Sequence, residues 1–126
     1  MRKIERNMVE ALKTRQDFKC DNTKVTFDEG GSLAEVYLWD NHIASLDFPI
    51  GRIFFQDCNY QTATTKSRLN AILHTFASDT HDICGISQQK GVWWLTRRDH
   101  TKYKRMERQT VYTTYMQKEY EHKNLS

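Results

Sequence analysis

The sequence predicts an α+β fold: an antiparallel sheet of five to six strands with an N-terminal helix and a second helix packed on one face. Three observations predict it. Two segments, near residues 2–14 and 64–77, carry apolar residues at helical spacing. Between them, runs rich in β-branched and aromatic residues alternate with short Gly-Gly, Asp-Asn and Pro-Ile-Gly turn signals, so consecutive strands pair as neighbours. The 126 residues, 38% hydrophobic and 28% charged with a single Pro, suffice for one core and exclude collagen-like, low-complexity and wholly disordered chains.

Ile4, Met8, Ala11 and Leu12 fall at i, i+4, i+7 and i+8 with charged residues between them, which makes one apolar stripe on a helix over 2–14. Lys24 to Phe27 reads as a strand closed by Asp28-Glu29-Gly30-Gly31. Leu33 to Trp39 makes the next strand, Asp40-Asn41 the next turn, His42 to Phe48 a third strand, and Arg52 to Cys58 a fourth after Pro49-Ile50-Gly51. The period then changes. Leu69, Ile72, Leu73 and Phe76 form the strongest helical stripe in the chain, with Thr64 or Thr65 as its N-cap. This stripe is suited to cover the apolar face of the meander. Ile83–Ser87 and Val92–Leu95 flank Gln88-Gln89-Lys90-Gly91 as a further hairpin. Alternation on its return strand sends Trp93 and Trp94 to opposite faces, so one indole is expected at the surface. The predicted core is Ile4, Met8, Leu12, Val36, Leu38, Ile53, Phe55, Leu69, Ile72, Leu73 and Phe76. Residues 1–96 read as a single domain and 97–126 as a basic, Tyr-rich C-terminal extension. Thr110 to Tyr115 suits a strand, whereas Tyr112, Met116 and Tyr120 align on a helix, and both readings stand.

Charge is polarised along the chain. Residues 1–62 hold 8 basic and 10 acidic side chains, while 63–126 hold 11 basic and 6 acidic, so an anionic partner is expected to meet the second half. The densest run is Arg97-Arg98-Asp99-His100-Thr101-Lys102-Tyr103-Lys104-Arg105, directly after the tryptophan pair. Trp93, Trp94, Arg97, Arg98, Lys102, Tyr103, Lys104 and Arg105 therefore form the candidate partner-binding or nucleic-acid-binding set, since cations neutralise phosphates or carboxylates and rings supply stacking or anchoring surface. A solvated loop is the bland reading of the same run. Thr64, Thr65, Lys66 and Arg68 gather hydroxyls and two cations in the opening turns of the second helix, where the macrodipole disfavours positive charge. A bound anion would relieve that conflict, and a solvated helix end that tolerates the small penalty is the bland reading.

Catalytic and metal signatures are missing. His42 with Asp40, or His81 with Asp79, Asp82 and Cys84, is the nearest approach to an acid–base pair, and no nucleophile elbow, P-loop or zincin motif accompanies either. His74, His81 and Cys84 lack the paired spacing of a structural zinc site, and no cofactor is expected. Three cysteines with no export signal predict free thiols rather than a disulfide framework. No apolar run reaches membrane length, which predicts a protein that stays in the compartment where it is made.

The phrases Met-Arg-Lys-Ile-Glu, Asn-Thr-Lys-Val, Val-Tyr-Leu, Asn-His-Ile-Ala and Thr-Thr-Lys-Ser-Arg-Leu-Asn-Ala-Ile-Leu, in that order, resemble those of a group of small accessory proteins of tailed bacteriophages over residues 1–95. The resemblance implies a phage origin and a host-cytoplasm setting, carries no residue roles, and ends where the tail from Arg97 departs from it. The function expected on these grounds is that of a non-enzymatic accessory protein that binds and blocks a host or defence component, an anti-defence or host-takeover inhibitor acting through protein–protein interaction. A nucleic-acid-binding module is the alternative, and an interaction subunit of a phage particle or complex is third. The order of helix, strands and helix also resembles double-stranded RNA-binding modules in topology alone.

Overall fold

The computed structural model describes residues 1–58, 61–77, 83–97, 102–106 and 111–114, with Tyr103 and 111–114 described by their backbone. The elements are α1 (Lys3–Thr14), β1 (Phe18–Cys20), β2 (Thr23–Phe27), β3 (Leu33–Leu38), β4 (Asn41–Asp47), β5 (Arg52–Phe55), α2 (Ala63–Phe76), β6 (Gly85–Gln89), β7 (Val92–Thr96), β8 (Lys102–Arg105) and β9 (Val111–Thr114).

The fold is α+β and every pairing between the described strands is antiparallel, but these strands form two sheets. One has six strands in the order β1-β2-β3-β4-β5-β9, and the other has three, β6-β7-β8. The hairpin after α2 was expected to continue the meander; instead it builds the second sheet with β8. Two local causes keep it apart. The outer edge of β5 is taken by β9, with Ile53 opposite Thr113 and Phe54 opposite Tyr112. The Asn70 amide of α2 meanwhile acts as a strand surrogate on β6, its Nδ2 donating to Ile86 O (2.9 Å) and its Oδ1 accepting from Ile86 N (2.7 Å). Gly85 permits that approach, because a Cβ there would lie 3.0 Å from His74 Nε2 and 3.1 Å from Thr96 Oγ1. The segment after Arg97, read as an extension, thus contributes a strand to each sheet. The open choice at 110–115 resolves to strand over 111–114.

The core follows the stripes. Met8 and Leu12 of α1 and Leu69, Ile72, Leu73 and Phe76 of α2 pack with Val25, Val36, Leu38, Leu46, Ile53 and Phe55, and Ile86, Trp93 and Leu95 of the second sheet, with Met106 just beyond β8, join the same cluster. Ile4, expected in the core, is only half-buried, and its neighbour Glu5 takes the buried position at 3% exposure. Two-residue turns close the hairpins at Asp21-Asn22, Trp39-Asp40 and Lys90-Gly91. The last needs left-handed backbone at Gly91, φ +77°. A β-bulge interrupts β4. Val36 faces Ala44 while Tyr37 faces His42, so Ile43 is the extra residue and His42 swings from the inner to the outer face of the sheet.

Candidate functional site

The outer face of the second sheet gathers part of the basic run around one indole. Strand alternation splits the tryptophans as expected: Trp93 enters the core at 2% exposure and Trp94 stays half-exposed. Trp93 is therefore corrected out of the binding set, because the face that carries it packs on the rest of the protein. In register, Trp94 stands between Ser87 on β6 and Arg105 on β8. The Lys102 ammonium lies 5.0 Å from the Trp94 ring centroid, a cation–π contact, and also donates to Gln89 Oε1. Lys102, Lys104 and Arg105 are exposed and Arg97 is half-buried. Among the described residues 83–97 and 102–106, Lys90, Arg97, Lys102, Lys104 and Arg105 are charged and no Asp or Glu occurs. Arg98 and the Tyr103 side chain lie outside the described residues.

The start of α2 is built otherwise than the sequence suggested. The N-cap is Thr62, whose hydroxyl accepts from Thr65 N at 3.1 Å, rather than Thr64 or Thr65. Thr65 is buried and its hydroxyl lies 2.8 Å from that of Thr62. Lys66 Nζ reaches Gln88 Oε1 at 2.9 Å. Arg68, at 3% exposure, points inward. Its Nη1 donates to Glu5 Oε2 at 2.7 Å, its Nε to Thr23 Oγ1 at 3.0 Å and its Nη2 to Asn22 Oδ1 at 3.4 Å. Ser67 Oγ donates to the same Glu5 oxygen at 2.5 Å, and the other oxygen accepts from Arg2 N at 3.2 Å, the carboxylate half of a capping box on α1. The anion that answers Arg68 is therefore the chain's own Glu5, while Lys66 is met by the neutral Gln88 amide. Arg68 belongs to this internal lock and is corrected out of an external anion site. Burial by itself pushes the Glu5 carboxyl upward, and hydrogen bonds from Ser67, Arg68 and the Arg2 backbone, with the Arg68 charge, outweigh it and leave it below its ordinary value.

Two features escaped the sequence reading. Trp39 is 56% exposed at the tip of the β3–β4 hairpin, with φ +49°, and Asp40 follows at φ +64°. This is a type I′ turn holding a bulky residue in backbone that glycine and asparagine ordinarily occupy. His42, turned outward by the bulge, pairs with Glu35 and Ser45 rather than with Asp40, which faces Lys24 at 3.9 Å. Ser45 Oγ also donates to Glu35 Oε2 at 2.5 Å. Serine and carboxylate meet the same ring nitrogen, Nε2, whereas a proton relay bridges the two nitrogens, so the cluster has the form of a closed hydrogen-bond ring. The bulge was the missing signal for His42, and no periodic pattern marks a bulge. Asp79, His81 and Asp82 lie outside the described residues. Among the described residues no three His, Cys, Asp or Glu side chains converge as a metal site, and no helix is long and apolar enough to cross a membrane.

Compared with known families, the chain matches the model of the Kyanoviridae Gp96 protein over residues 1–124. The match continues through Arg97, beyond residue 95 where the phage resemblance was drawn to end. No curated protein and no solved structure matches.

Proposed function

The chain belongs to the Kyanoviridae Gp96 protein family of tailed cyanophages, and from that premise we propose that it is a non-enzymatic accessory protein that works in the host cytoplasm by docking on an acidic surface of a host or defence protein and blocking it. The observation that carries this reading is the outer face of the second sheet, where half-exposed Trp94 stands beside the exposed cations Lys102 and Arg105. A rigid indole on a strand loses little entropy on binding and supplies an anchor, and the surrounding cations accelerate encounter with an acidic partner more than they tighten the final complex.

A nucleic-acid-binding module is the second reading, favoured by the same exposed cations. Lys102 argues for the first. Its ammonium already lies over the Trp94 ring, so a base stacking there has to displace it, whereas a protein partner can bury ring and ammonium together. Recovery of complexes from host lysate, with and without nuclease, separates the two. The expected result is a nuclease-resistant complex that Trp94→Ala weakens by about 2 kcal/mol or more while the melting temperature is kept. Recovery of no nuclease-resistant complex, or an affinity of that complex indifferent to Trp94→Ala and Arg105→Ala, overturns the reading.

A further inference from the structure

The two turns at one end of the six-stranded sheet frame a second, separate site. The β1–β2 turn (Asp21-Asn22) and the β3–β4 turn (Trp39-Asp40) are joined by a hydrogen bond from Trp39 N to Asn22 O at 2.8 Å. Between them opens a cleft of about 200 Å³ lined by Lys19, Asp21, Asn22, Thr23, Lys24 and the Trp39–Asp40 turn. Its parts differ from those around Trp94. No described ring or cation covers the Trp39 indole, so a face of it is open to a ligand. Backbone strain at both Trp39 and Asp21 (φ +54°) concentrates here, as it does where a side chain must be presented in a fixed direction. The Asn22 amide is oriented from behind. Its Oδ1 accepts from Thr23 Oγ1 (2.9 Å) and from buried Arg68, which leaves Nδ2 as an accessible donor that no described residue uses. Lys19 is exposed without a described partner, and the Lys24 ammonium, 4.8 Å from the Tyr37 ring centroid, meets Asp40 at 3.9 Å, a pair open enough to solvent for a phosphate to compete with Asp40.

We propose that this cleft binds single-stranded nucleic acid, with one base stacked on Trp39, Asn22 Nδ2 donating to an acceptor on the base edge, and Lys19 and Lys24 meeting the flanking phosphates. A base supplies what the cleft asks for: a flat face for the indole, hydrogen-bonding atoms along its rim for a fixed amide, and an adjoining anion for two ammonium groups. Asp21 and Asp40 hold the local charge near neutral, so stacking carries the affinity and counterion release adds little. The site uses no residue of the Trp94 face and stands whether or not that face docks on a protein.

The test is binding of a fluorescein-labelled oligothymidylate to the full chain, read by anisotropy and by tryptophan quenching across a salt series. Trp39→Ala is expected to weaken binding by about tenfold or more and Trp39→Phe by much less, because a phenyl ring still stacks. Lys19→Ala with Lys24→Ala should lower a log–log salt slope that begins no steeper than about −1.5. Circular dichroism melts of each variant exclude unfolding as the cause. Absence of oligonucleotide binding, equal affinity of Trp39→Ala and Trp39→Phe to the parent, or a Trp39 effect confined to a protein complex overturns the proposal. Binding that Trp94→Ala abolishes and Trp39→Ala spares overturns it while upholding a nucleic-acid function for the other face.

Discussion

Replacing Arg68 by Met tests the internal lock most directly. The guanidinium is 3% exposed, and its loss strands the Glu5 carboxylate, equally buried, with Ser67 and the Arg2 N–H as its remaining hydrogen-bond donors. Thr23 and Asn22 lose donors as well. Breaking one half of a buried pair costs about 3–5 kcal/mol, against a total stability on the order of 5–15 kcal/mol for a domain. At roughly 3–5 °C per kcal/mol for a chain of this size, the melting temperature should fall by about 9–25 °C. Glu5→Leu should cost a similar amount, since it leaves the cation unpaired. The double variant, Glu5→Leu with Arg68→Met, removes both charges and should recover most of the loss, because apolar side chains of similar volume replace a buried ion pair at little net cost. Urea unfolding followed by circular dichroism gives the four stabilities of the cycle. Single losses under about 1 kcal/mol, or a double variant equal to the sum of the singles within about 0.5 kcal/mol, would refute the claim that these groups form one coupled unit.

Acid should act through the same carboxylate. Glu5 titrates below its ordinary value of 4.5 in the folded protein; its stabilisation is present above the unfolded-state value and is lost as pH falls through the native one, so Glu5→Gln should flatten the acid limb of the stability curve below about pH 4.5. Leu73→Ala opens a cavity between α2 and the sheet and should cost about 2–5 kcal/mol by chemical denaturation; a melting temperature unchanged within error would mean that α2 does not cover the sheet. Asn70→Ala leaves the Ile86 N–H and C=O without their helix partner and should cost about 1–3 kcal/mol. Amide exchange at Ile86 should rise in that variant, and unchanged protection would show that the edge of β6 is held by something else.

What the sequence made legible was local. The stripes of α1 and α2 are complete within their own segments, and turn pairs such as Gly30-Gly31 and Lys90-Gly91 announce hairpins because only a few residue types accept such backbone. The Trp93/Trp94 split followed from the period of a strand. Pairings between distant segments were not legible. Arg68 reads as a surface cation until Glu5, 63 residues earlier, is seen to meet it. The short edge strands β1, β8 and β9 carry too little pattern of their own, and their register comes from their neighbours. Trp39 was read as the end of a strand, since nothing in Leu-Trp-Asp-Asn marks a tryptophan placed inside a type I′ turn.

The pairing of β9 with β5 has a consequence for how the chain is made. A growing polypeptide emerging from the ribosome completes β1 to β5 as a run of neighbouring hairpins, then must release α2 and the whole second sheet before residues 111–114 can arrive. Until then β5 presents a bare row of backbone donors and acceptors beside apolar Ile53 and Phe55, a template for pairing with another nascent copy. Long-range closure of this kind is slow relative to hairpin formation. The window in which the unfinished protein is prone to aggregation is therefore set by synthesis of β9, and a stop codon placed before Val111 should yield insoluble product even though most of the described core has already been translated.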